Sequence, residues 1–289
     1  MTTRNRTRWV DAAFLLPSLI LFTILITIPA VWGIVMSATN SVGFGTWEWV
    51  GLANYKMMFS DPAIRETYLF TIGFAACTVI VVNVCALALA LGLTSKIRGV
   101  VVLRTIYVVP MVVSSIIIAY VFNFLFSQSL PALGRALGIG WLSESILANP
   151  SLAWIGIVIV TAWQAIPGTL LIYIAGLLSV PEDVYEAARI DGAGAWAQFR
   201  TITLPLVAGY VLINVVLGLK NFLNAYDIIV GLTNGGPGTA TRSVAMTIID
   251  GFTNGDYAYQ MANATLFFVF VIVLSILQLR LTRGKAALA

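Results

Sequence analysis

Six stretches of this chain run for 18 residues or more without Asp, Glu, Lys or Arg: Ala12–Met36, Tyr68–Leu93, Thr105–Phe126, Leu152–Val180, Ile202–Leu219 and Met261–Leu279. At 1.5 Å per helical residue, each crosses most or all of a hydrocarbon core about 30 Å thick. One such stretch fits a buried helix in a soluble core; six in 289 residues do not. Composition agrees, at 60% hydrophobic and 10% charged against about 45–50% and about 25% for soluble domains. The expected fold class is an all-α polytopic membrane protein with about six transmembrane helices. Residues 1–289 form a single transmembrane domain in this reading, with no separate soluble domain and no solenoid repeat.

Basic residues in alternate connections give the orientation. With the N-terminus inside, the inner set is Arg4, Arg6, Arg8, Lys96, Arg98, Arg104, Arg189, Arg200, Arg280, Arg283 and Lys285. The outer set is Lys56, Arg65, Arg135, Lys220 and Arg242. Both termini are therefore expected in the cytoplasm. The net charge of +4 becomes a topology signal and gives no evidence for nucleic-acid binding. The first stretch follows three arginines as a secretion signal would, but it is longer than an apolar signal region of about 7–15 residues. It reads as a retained span.

Cys77 and Cys85 lie in one span, roughly 12 Å apart along a helix, and read as small packing residues. The chain has no histidine, which excludes His-based metal sites and proton relays. No G-x-x-x-x-G-K-[ST] phosphate cradle is present, and no charge-free run carries a carboxylate or lysine to bind a coupling ion. Both absences count against a self-energised transporter. Paired carboxylates and nucleophile–base pairs are likewise missing from the spans, which counts against a membrane-embedded enzyme.

Three outer connections are long, Asn40–Thr67, Ser127–Ser151 and Lys220–Gln260. Ser60 or Asp61 before Pro62 predicts the start of a short surface helix, and "GLTNGGPGTATR" reads as turns. One inner connection is long enough for structure of its own, the coupling segment 181–205 described below. Pro181 predicts a helix start, with Glu182 and Asp183 at the positive end of the helix dipole. Asp191-Gly192 predicts its stop, and a second short helix is expected over roughly Ala195–Thr201. Basic amphipathic helices lie on lipid; this segment has four acids against two bases. That balance favours a protein socket over a lipid surface or self-packing.

Glu186-Ala187-Ala188, then Asp191-Gly192-Ala193, Phe199, Ile202 and Leu204-Pro205 resemble the "EAA" signature of bacterial ABC importer permeases. "VGLANYKMMFSDP", "RTIYVVPMVVS", "TAWQAIPGTLLIYIAGLLSVPEDVYEAARIDGA" and "FLNAYDIIVGLTNGGPGTAT" resemble blocks of the sugar-permease branch, in the right order over nearly the whole chain. Asp256-Tyr257-Ala258-Tyr259 departs from it where relatives often carry an aromatic–Gly pair. The resemblance implies a type I ABC importer permease fold. It also implies that Glu186, Ala187, Ala188, Arg189, Asp191, Gly192 and Ala193 dock into a cytoplasmic ATPase.

By the same resemblance the partners are a second permease in a heterodimer, an ABC ATPase dimer, an extracytoplasmic solute-binding protein, a sugar and the lipid bilayer. The chain itself binds no cofactor and is no enzyme, since ATP and Mg belong to the partner ATPase. The alternatives are a self-sufficient ion-coupled carrier or channel, and an importer of a related polar solute such as glycerol 3-phosphate.

A solute route needs polar lining. Asn83, Asn123, Thr161, Gln164, Asn214, Asn221 and Asn224 are the candidates, with Trp163 and Tyr226 as stacking surfaces. Amides donate and accept, which suits neutral hydroxyl-rich ligands. Any one of them taken alone reads better as an interhelical hydrogen bond. The resemblance singles out Thr161, Trp163, Gln164 and Gly168 in the fourth span, and Asn221, Asn224 and Tyr226 beyond the fifth, as cavity residues. Pro167-Gly168 predicts a helix irregularity. Trp154 reads as an interface anchor. Lys220 and Asp227 could pair, contact substrate or be solvated at the interface, and the solvated reading is favoured. The scarcity of buried cations favours a neutral sugar over a phosphate.

Overall fold

The computed structural model describes the backbone of residues 3–95 and 99–286, with the side chains of 3–12, 279 and 281–286 outside the description. Of the basic residues used for orientation, Lys96 and Arg98 lie outside the described residues, as do the side chains of Arg4, Arg6, Arg8, Arg283 and Lys285. Among the described residues there is no strand, only an isolated bridge between Thr39 and Trp49. Among the described residues five helices are long and apolar enough to span: Ala13–Met36, Pro62–Thr94, Ser115–Leu137, Ala153–Leu178 and Tyr257–Gln278. A pair bent by 63°, Ala195–Leu206 and Ala208–Leu223, makes a sixth. This is a multi-pass membrane protein.

The spans differ from the charge-free runs in two instructive places. The third begins at Ser115, not Thr105, because Pro110 sits in a 3-10 turn and Val113 is extended. Charge-free sequence continues past that break and cannot show it. Pro62 does start a helix, but that helix is the 33-residue second span; the short helix lies just before it, at Ala53–Ser60.

Prolines shape several spans. Pro29, Pro131 and Pro205 each stand two residues after a π-helical stretch, Thr23–Thr27, Leu125–Ser129 and Phe199–Thr203. A proline lacks its N–H and collides with the carbonyl four residues back; a wider turn there moves that carbonyl to another donor. Pro17 and Pro167 lie inside uninterrupted helices, so the irregularity expected at Pro167-Gly168 does not occur.

By contact density the residues form two units. One comprises Met1–Pro62 and Ile248–Phe270. Residues 13–32 of its first span are all exposed, with Phe14 81% and Leu25 67% open, a surface that only lipid or another chain would cover; Gly33 and Met36, at the end of that span, are buried. Beyond it the chain is tied into a knot: Asn54 Nδ2 donates to the carbonyls of Ser37 and Thr39, both at 2.8 Å. Ser37 Oγ and Tyr55 Oη lie 2.7 Å apart, and Tyr259 Oη donates to Asp61 Oδ2 at 3.2 Å.

The other unit comprises Ala63–Thr247 and Val271–Ala289. Its core packs the second span on the fourth. Ala86 and Ala90, one turn apart and fully buried, meet Leu170, Tyr173 and Ile174, and small residues at such a seam let helices approach closely. Tyr173 Oη donates to Asn83 Oδ1 at 2.6 Å, and Asn214 Nδ2 to the Thr169 carbonyl at 3.3 Å. Arg104 Nη2 donates to the Leu93 carbonyl at 2.7 Å, placing positive charge at the C-terminal end of the second span's dipole.

Candidate functional site

The candidate cavity, about 330 Å³, opens among three elements, two of which leave regular helix there. The first is the break before the third span. Val113 has left the helix, so its carbonyl has no partner within the chain segment, and Gln164 Nε2 from the fourth span supplies one at 3.0 Å. A backbone carbonyl released from a helix needs another donor, which gives the amide its role at this point. The second is the fourth span itself, which presents Thr161, Gln164 and Ala165 on one face.

The third is the link after the fifth span. Helix Ala208–Leu223 stops, residues 224–226 run irregularly, and a short helix Asp227–Thr233 follows. That short helix buries Ile228, Ile229 and Leu232 and packs on the third span. Gly231 makes the approach possible, since a Cβ there would stand 2.5 Å from Ala119 Cβ. Asn224 Nδ2 folds back to the Lys220 carbonyl at 2.8 Å, leaving its oxygen and second hydrogen for the cavity.

Of the seven cavity residues expected from the sequence, Thr161, Gln164, Asn221, Asn224 and Tyr226 line this space. Trp163 and Gly168 do not. At 100° per residue, 163 falls on the opposite face from 161, 164 and 165, and Trp163 packs against Phe122 with ring centroids 5.3 Å apart. Gly168 continues the right face beyond the lining, with nothing within 4 Å of a Cβ placed there. Asn83, Asn123 and Asn214 are engaged in hydrogen bonds to neighbouring elements.

Two observations were not readable in the sequence. Asp227 lines the cavity, and no Lys or Arg among the described residues does. The Thr161 hydroxyl, on a side chain 5% exposed, has no hydrogen-bond partner. Buried hydroxyls normally have one, and this oxygen is closed to solvent as well.

The second candidate is the segment 181–205. Pro181 stands one residue before the first helical position, and the helix is Glu182–Ile190, with Glu182 and Asp183 in its first turn and Arg189 in its last. Asp191 caps it and Gly192 takes φ +79°. Ala193 N–H reaches the Ala188 carbonyl at 2.9 Å, and Gly192 N–H the Arg189 carbonyl at 3.1 Å, the paired bonds of a Schellman stop. The following helix runs Ala195–Leu206 with the π stretch inside it, longer than Ala195–Thr201.

Glu186, Ala187, Arg189, Asp191 and Gly192 are exposed, and Ala188 and Ala193 half-buried. Underneath, Tyr185 Oη and Thr203 Oγ1 lie 2.9 Å apart, and Gln198 Nε2 donates to the Ala193 carbonyl at 2.7 Å. Ile190 is 87% exposed at the tip, an aliphatic side chain with nothing of its own chain to cover it.

Residues 83–285 match the family model described as "Binding-protein-dependent transport system inner membrane component". The probable starch degradation products transport system permease protein of Thermoanaerobacterium thermosulfurigenes is 32% identical over 273 residues, covering 94% of this chain and 93% of that one. The trehalose/maltose transport system permease protein of Thermococcus litoralis is also 32% identical, covering 94% and 92%. In fold the chain is similar to two crystal structures of a bacterial alginate ABC transporter. One, involved in import of the acidic polysaccharide, has TM-score 0.83 and 20% identity; the other, in complex with an alginate pentasaccharide-bound periplasmic protein, has TM-score 0.82 and 19% identity. Each comparison covers 96% of both chains.

Proposed function

Since this chain belongs to the family of binding-protein-dependent transport system inner membrane components, we propose that it is the permease subunit of an ATP-driven ABC importer for a sugar of oligosaccharide size. The observation that carries the substrate reading is the cavity. Side-chain amides, the hydroxyl residues Ser115 and Thr161 and two aromatic residues, Phe222 and Tyr226, line it, with a single formal charge, on Asp227. Amides and hydroxyls exchange hydrogen bonds with sugar hydroxyls in both directions, and a lining without Lys or Arg suits a neutral ligand better than a phosphate. The relatives named for starch degradation products and for trehalose and maltose support the same class.

In this reading both termini and the segment 181–205 face the cytoplasm. The exposed row of Glu186, Ala187, Arg189 and Asp191, with Ile190 at its tip, docks into one subunit of an ATPase dimer. A second permease completes the route, and a solute-binding protein delivers sugar from the other side. ATP and Mg stay on the ATPase.

Purification of the tagged chain from its native membrane in mild detergent tests the reading. An ATPase and a second permease should co-purify in stoichiometric amounts. A chain that arrives alone and takes up solute in liposomes on an ion gradient overturns it.

A further inference from the structure

Part of the cavity wall is backbone that has left a helix, and such backbone needs partners. Ala225, in the irregular link, lines the cavity. Its carbonyl accepts a hydrogen bond at 3.1 Å from Ser243 Oγ, which itself accepts from Met246 N–H at 3.3 Å. Alongside, Val244 N–H donates to Thr71 Oγ1 at 3.0 Å. Near the end of the short helix that continues the link, the Leu232 carbonyl accepts from Asn123 Nδ2 at 2.6 Å. Ser243 and Thr71 are each 1% exposed, so water cannot replace these partners. None of Ser243, Thr71 or Asn123 lines the cavity.

We infer that Ser243 and Asn123 are positioning residues for the cavity. They hold the Ala225 and Leu232 carbonyls, and through them fix where Asn224 and Tyr226 stand. Ser243 uses its one hydroxyl twice, as donor to the wall and as N-cap acceptor for helix Val244–Thr253, so the wall and that helix share an anchor. The significance for transport rests on the cavity reading above; the anchoring does not.

The test uses the complete transporter in lipid nanodiscs, with Asn224→Cys on this chain and the unmodified Cys77/Cys85 background subtracted. The rate of modification by 2-sulfonatoethyl methanethiosulfonate reports the position of residue 224. Adding Ser243→Ala should change that rate about fivefold, as expected for loss of one net hydrogen bond, and Ser243→Thr, which keeps the hydroxyl, should restore it. Asn123→Ala should change it in the same sense, and serves alone if Ser243→Ala does not assemble. Trp163→Cys, on the opposite face, should react at the same rate with and without Ser243→Ala.

Unchanged rates at position 224, or equal changes at position 163, overturn the assignment. The two readings separate cleanly. If labelled Asn224→Cys transports normally while its rate still depends on Ser243, the cavity reading fails and the positioning stands.

Discussion

The cavity wall and the segment 181–205 both interrupt regular spanning helices, yet they are held in opposite ways. The segment satisfies its own backbone: Gly192 and Ala193 return their N–H groups to the helix just ended, and the side chains between are left open. The wall is satisfied from afar, by Gln164, Asn123 and Ser243, which lie 51, 109 and 18 residues from the groups they hold. A locally capped element can have its exposed residues replaced without moving. A remotely held one transmits every change to its neighbours.

The contrast predicts a ranking of mutational effects. Gly231→Leu should do the most damage, since even the first added carbon meets Ala119 Cβ at 2.5 Å. Overpacking of this kind costs about 1–3 kcal/mol or more. A melting curve of the purified complex should show it, and an unshifted curve would mean the wall is more pliable than its packing. Next comes Gln164→Ala, which removes the hydrogen bond to the Val113 carbonyl, worth about 0.5–1.5 kcal/mol, and should also depress sugar uptake in proteoliposomes. Normal uptake would remove Gln164 from the route.

Gly192→Ala should cost about 1 kcal/mol, because φ +79° suits only glycine. Its effect should stay within the segment, visible as faster amide exchange over 182–193 and absent from the wall. Smallest in stability is Glu186→Lys, within about 0.5 kcal/mol for an exposed site. Its assembled complex should nevertheless lose transport-coupled ATP hydrolysis, and full coupling would break the docking assignment.

What was legible in the sequence follows the same division. Charge-free runs reveal spans because lipid forbids charge locally, and Asp191-Gly192 reveals a helix stop because the left-handed turn is a local demand. The link Asn224-Ala225-Tyr226 carries no glycine or proline. At the break the Ala225 carbonyl is met by Ser243, and Ile228 and Ile229 are buried just beyond it, contacts that no local pattern displays. Pro110 and Pro167 show the limit from the other side. One accompanies a break and the other sits in an unbroken helix, and the residue type alone does not separate them. Asp227 reads as solvated at the level of sequence because its place on the cavity is set by that same unreadable break.

The wide turn at Phe199–Thr203 gives the connecting helix one residue of slack. It holds one residue more than the α-helix around it would need. Deleting a residue there would return the stretch to α-geometry with the flanking helices close to their present phase, because the turn already absorbs the extra residue. The bearing of the exposed row at Glu186–Asp191 is thus buffered against a loss of one residue in the connecting helix. A second deletion exceeds that slack and would turn the row by about 100° relative to the span beyond.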